Sequence, residues 1–153
     1  MKHALQKKVL TYLENHHVMS LATVGKEGVW STAVYYVNTH FTLYFLSASS
    51  TRHGQNMAAN PTLAATIQED YDSWQAIKGI QLEGTVAQIN EVEKTAVIAQ
   101  YSLKFPIIQP SSTPHTQIAQ ALSKASWYKI TPHRLYFIDN SLKLGHRDQV
   151  PLD

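Results

Sequence analysis

Val29-Trp30-Ser31-Thr32-Ala33-Val34-Tyr35-Tyr36-Val37 is the stretch whose reading decides the fold. Its β-branched and aromatic side chains suit a pleated, half-buried surface and read as a strand. Gly25-Lys26-Glu27-Gly28 precedes it, a turn with two glycines and so a hairpin signal. Residues 17–24, before that turn, read as the outgoing strand. Beyond the stretch, Asn38-Thr39-His40 turns the chain into a further strand at 41–47. Three strands thus follow one another as an antiparallel meander. Parallel neighbours need a long crossover between them, and none is present, so a parallel α/β sheet is disfavoured.

The flanking segments extend this picture. Residues 2–15 read as a helix, with Leu5, Val9, Tyr12 and Leu13 on one face. A short helix at 51–59 is stopped by Asn60-Pro61. Strand 62–68 leads into a polar loop, Glu69 to Ser73, and then a long strand at 75–89. There Ile80, Leu82 and Val86 point one way, Gln81, Glu83 and Thr85 the other. Gly84 in mid-strand marks a bulge or barrel bend. Asn90 caps a helix at 91–103, in which Val92, Ala96, Ala99 and Leu103 share a face. Residues 104–116 carry Pro106, Pro110 and Pro114 and read as an irregular loop, followed by a short helix around Ile118 and Leu122. Strands 126–130 and 134–139 are joined by Thr131-Pro132-His133, and the tail from Asn140 is polar. The expectation is a mainly β (α+β) chain: one domain, 1–153, built as a closed or nearly closed antiparallel barrel with capping helices.

Composition narrows the function. The 153 residues are 44% hydrophobic and only 16% charged, against roughly 25% charged in an ordinary domain. Such a surface fits a large subunit interface or a deep ligand groove. A net charge of +2 is too small to argue for nucleic acid. The chain has no cysteine, which excludes disulfides, thiol nucleophiles and Cys-based metal sites and fits a cytoplasmic protein. No signal peptide is read around Val9-Leu10, and no run approaches the ~20 apolar residues that span a bilayer. The eight histidines show no ligand spacing, so no metal site is expected. The glycine-rich phosphate loops and the G-x-S-x-G elbow are missing. Glu69, Asp70 and Asp72 read as a solvated turn.

Chemistry concentrates in Ser47-Ala48-Ser49-Ser50-Thr51-Arg52-His53. A strand runs into a hydroxyl-rich turn, and a cation opens the next helix. Helix-start N–H groups, an Arg fork and hydroxyls together make a phosphate site. The plainer alternative is that Ser50 or Thr51 caps the helix and Arg52 is solvated. Elsewhere, Trp127 suits core packing or stacking on a flavin or base. Gln81 sits on a wet face or in a ligand groove. Tyr35 and Tyr36 point to opposite faces, one to the core and one to a groove or interface.

Three segments resemble the FMN-binding split barrels related to pyridoxamine 5'-phosphate oxidase. They are Ser20-Leu21-Ala22-Thr23-Val24 with Gly28 and the strand Trp30 to Tyr36; Leu43 to Ser47 with Thr51-Arg52-His53 and Asn60-Pro61; and Gly79 to Val86. The end, Trp127 to Ile130 and Phe137 to Gly145, is similar to the small bacterial YhbP-like branch. This resemblance implies a split barrel and a homodimer with FMN in a groove at the subunit interface. Thr51, Arg52 and His53 match the Ser-Arg-Lys triplet that holds the FMN phosphate, with His53 in place of a fixed cation. Ser31, Thr32, Ala33 and Val34 match the strand along the flavin, Leu46 and Ser47 a further contacting pair, and Gln81 and Trp127 are carried as cofactor-binding candidates. Ser31 and Tyr36 stand where the oxidase has Arg and Lys, so pyridoxamine-phosphate oxidation itself is not expected. The readings are an FMN-dependent oxidoreductase acting on a small molecule and, of another class, a non-enzymatic binding or sensor protein on the same dimeric barrel. A groove holding haem or a deazaflavin is the third.

Overall fold

The computed structural model describes residues 1–106, 117 and 124–153. Helix α1 (Lys2–Asn15) presents Val9 and Leu13, both wholly buried, to the main core. β1 (Val18–Gly25) and β2 (Gly28–Tyr35) form the expected hairpin, paired from Val18↔Tyr35 to Gly25↔Gly28. Gly28 has φ +100°, a backbone that side chains resist.

The antiparallel meander forms with its middle strand broken. After β2 a single residue, Tyr36, separates it from β3 (Val37–Thr39), which pairs with β4 (Thr42–Ala48). The middle strand of the expected three is therefore split: its first half pairs with β1, its second with β4. The physical reason is Tyr36. Its side chain is fully buried, its N–H donates to His17 O at 3.1 Å, and its hydroxyl donates to Leu13 O at 2.8 Å. The chain is pinned under α1 and cannot continue straight.

Beyond α2 (Arg52–Ala59) come β5 (Thr62–Gln68), β6 (Lys78–Gln88), α3 (Glu91–Lys104), β7 (Ala125–Asp139) and β8 (Arg147–Gln149). All neighbouring strands pair antiparallel, in the order β2-β1-β5-β6-β7-β4-β3, with β8 on β7. The two ends of that order, β2 and β3, are one continuous chain segment. The sheet is thus forced to curl into a split barrel, open between β2 and β4. Its core is made of side chains such as Leu21, Phe45, Ile67, Ile80 and Phe137.

Three further expectations change. Strands 126–130 and 134–139 are one strand, β7, with an extra residue at His133: Glu83 faces Arg134, yet Gly84 faces Pro132. Gly84 is needed there, because a Cβ would lie 2.4 Å from Thr131 O. On α3, Val92, Ala96, Ala99 and Leu103 face solvent, and Val97 and Tyr101 are buried instead. Tyr101 packs on Phe105 and Trp127 in a second cluster outside the barrel, and that aromatic area outweighs the smaller apolar stripe. The polar tail contributes β8 through backbone bonds, and Val150 is buried. The helix around Ile118 and Leu122 lies outside the described residues, as does the loop 104–116 beyond Pro106.

Candidate functional site

The split between β2 and β4 forms a groove of about 410 Å³ lined by Val18, Ala33, Val34, Tyr35, Leu46 and Tyr101. β2 has one ladder partner, β1, so its other edge turns backbone N–H and C=O groups toward the split. Ala33, Val34 and Leu46, three of the residues singled out in the sequence, meet here. Burial pushes the Tyr101 hydroxyl up to about 12, which keeps it neutral. Thr32 and Ser31 continue along β2 toward the start of α2.

At that helix start Thr51 is the N-cap. Its hydroxyl donates to Ala48 O at 2.7 Å and accepts from the Gly54 N–H at 3.1 Å. The capping reading holds for Thr51, and its hydroxyl is already committed. Arg52 is not freely solvated. Its guanidinium lies over the Trp30 ring at 4.4 Å and donates to Glu27 O at 3.3 Å and Val29 O at 3.5 Å. The Glu27 carboxylate stands 4.0 Å from Arg52 Nε, too far for a hydrogen bond, and that buried Nε has no acceptor.

His53 is buried, with Nε2 at 2.5 Å from Ser47 Oγ and 3.2 Å from Thr51 Oγ1. Burial lowers its pKa, so at neutral pH it brings no charge. The fold therefore favours neutral His53, while the unfolded chain binds its proton at about 6.5. The unfolded state holds more protons in the window just below that value, so stability falls as pH drops through it. Urea midpoints measured across this range should decline for the natural chain. The decline should be smaller for His53→Gln, and equal slopes in both would refute the assignment.

Gln81 does not join the groove within one chain. It lies in a row across the outer sheet face, Ala33–Ser20–Thr66–Gln81. Two strands lie between, so it is roughly 14 Å from Ala33 at the usual strand spacing. There it borders a shallow hollow with Ala64, Glu83, Arg134 and Tyr136. Trp127 is buried and meets Tyr101 edge-on at 5.2 Å, backing the groove wall from behind. Sequence reading missed Trp30, Glu27, Val18 and Tyr101. Trp30 carried a faint signal, since an exposed Trp in a strand needs a partner.

The outer face of β2, β1 and β5 carries the small, uncharged Ser31, Ala33, Ser20, Ala22, Ala64 and Thr66 together with the exposed apolar side chains of Val18, Val24, Val29 and Tyr35. Among the described residues, no helix is long and apolar enough to cross a membrane, and no group of three His, Asp or Glu could hold a metal ion.

Comparison with known proteins agrees with this architecture. A UPF0306 protein of Photorhabdus laumondii is 32% identical over 109 residues, 70% of this chain and 76% of its own. Such relatives accord with the YhbP-like branch. A putative pyridoxamine 5'-phosphate oxidase of Listeria innocua superposes with TM-score 0.66 at 20% identity, covering 88% of this chain and 98% of that one. A haem-binding protein of Mycobacterium smegmatis superposes with TM-score 0.74 at 18% identity; the match covers 94% of this chain but only 56% of that one. These two show a shared fold. The sequence matches the pyridoxamine 5'-phosphate oxidase family over residues 5–139, nearly its whole length, and the chain belongs to that family.

Proposed function

We propose that this chain is a cytoplasmic, homodimeric FMN-binding flavoprotein that carries out redox chemistry on a small molecule. The observation that carries the reading is the open β2 edge in the split, with Arg52 near its far end. Arg52 and the first N–H groups of α2 would hold the phosphate, and the buried, acceptor-free Nε of Arg52 suits an anion. Backbone groups of Ser31, Thr32, Ala33 and Val34 would read the polar edge of the ring, against Leu46. The flavin supplies the hydride chemistry when bound, and so no acid–base cluster is required of the protein. With Thr51 and His53 committed to internal hydrogen bonds, the phosphate relies on Arg52. The uncharged outer face, with Val18, Val24, Val29 and Tyr35 exposed on it, supports a dimer, in which Gln81 would approach a partner. Light scattering should give twice the chain mass.

The test is the visible spectrum of the untagged protein after incubation with FMN and desalting. Retained bands near ~370 and ~450 nm support the reading. A protein that keeps no flavin overturns it and leaves a non-enzymatic binding or sensor role. One observation favours a haem version of that role. His17 packs on Phe105 beside Val18, which lines the groove, and the mycobacterial structural neighbour is a haem-binding protein. A Soret band on adding haem would favour it.

A further inference from the structure

Arg52 is the cation at the α2 start, yet it is not waiting free. The turn between β1 and β2 supplies three oxygens around it: the carbonyls of Glu27 and Val29 at 3.3 and 3.5 Å, and the Glu27 carboxylate 4.0 Å from Nε. Trp30 closes one face of the guanidinium. The nitrogen left without an acceptor is Nε, and Glu27 is the anion standing before it. The Glu27 side chain is 71% exposed, so nothing in the packing anchors it there.

We propose that Glu27 gates the anion site of Arg52: its carboxylate stands before the Nε of the guanidinium and lowers the affinity of the site for an incoming phosphate. The inference rests on the reading of Arg52 as a phosphate anchor. Two anions cannot share the approach to Nε without repulsion. An incoming group must outcompete a tethered carboxylate, and that cost is common to every anion that takes the site. A phosphomonoester dianion has twice the charge and three acceptor oxygens, so it displaces Glu27 into solvent, where that side chain costs little to hydrate. The carbonyls of the turn can keep the far side of the fork, and Trp30 keeps its plane. The hairpin turn thus sets how tightly the site takes an anion.

The test is phosphorus NMR of inorganic phosphate titrated with the full chain and with Glu27→Gln at low salt. An exposed ion pair of this kind is worth little, so the variant should bind phosphate about threefold more tightly, with the gap closing at high salt. Acetate should gain by a similar factor, since it meets the same gate. Phosphate binding that is unchanged or weaker in Glu27→Gln overturns the proposal, as does a phosphate signal that neither protein perturbs. FMN and riboflavin, followed by quenching of flavin fluorescence, separate the two layers. If phosphate behaves as expected and neither flavin binds, the gate stands and the flavin reading fails. If both flavins bind alike and phosphate does not, the gate fails and a flavin groove without a phosphate anchor remains.

Discussion

Tyr36→Ala is expected to destabilise the protein by about 3–5 kcal/mol, the usual range for removing a fully buried aromatic side chain. The residue sits where the middle strand splits, and three things depend on it. Its ring fills the space beneath α1. Its hydroxyl ties the strand to Leu13 O, and burial raises its pKa so that it stays a neutral donor. Its ring also lies 4.1 Å from the ammonium of Lys104, whose pKa burial pushes down to about 8. Removing the ring takes the nearer of its two aromatic neighbours from that half-buried amine and leaves Phe105 at 5.9 Å. Tyr36→Phe should cost only about 1 kcal/mol, because Leu13 O keeps a second donor in Lys104 at 3.2 Å. Tyr35→Ala, next door and half exposed, should barely move stability. Urea unfolding of the three variants gives the order, and a Tyr36→Ala midpoint near that of Tyr35→Ala would refute this account of the split.

For the site, the largest expected effect is that of Arg52→Ala. Losing a forked, charge-assisted contact to phosphate should cost roughly 2–3 kcal/mol, or about 30- to 150-fold in FMN affinity. Riboflavin, which lacks the phosphate, should bind both proteins equally. Arg52→Lys should fall between, since an ammonium keeps the charge but neither the fork nor the stacking on Trp30. Stability should drop by no more than about 1 kcal/mol, the worth of an exposed cation–π contact. Quenching of flavin fluorescence reads all three. If FMN affinity survives in Arg52→Ala, the phosphate is held elsewhere.

Much of this was legible in the chain, because strands and hairpins are local. The Gly25–Gly28 turn, the Asn60-Pro61 stop, the Asn90 cap and the Gly84 bulge all rest on backbone chemistry that a few residues decide. What could not be read depends on distant partners. Tyr35-Tyr36 announces one buried and one exposed ring, but not that the buried one splits a strand, because its acceptor is on α1. Helix α3 offers two apolar faces, and the choice is made by Trp127, far along the chain. Thr51-Arg52-His53 reads as a phosphate triplet. The structure commits Thr51 to the cap and neutralises His53 by burial against Ser47, and a motif carries no information about burial.

The pairing of β4 with β7 bears on how the protein is made. β4 ends at Ala48, and the strand that holds it, β7, does not begin until Ala125. One wall of the groove is therefore held by a contact of very long sequence separation, which closes late and slowly. A chain emerging from synthesis can form the β1–β2 hairpin, α2 and its Arg52 contact early. It cannot complete that wall of the groove until Ala125 to Ile130 have been added. Any ligand the groove takes would thus enter after that point of synthesis, and a nascent or truncated chain lacking β7 exposes one unpaired edge of β4, a template for aggregation.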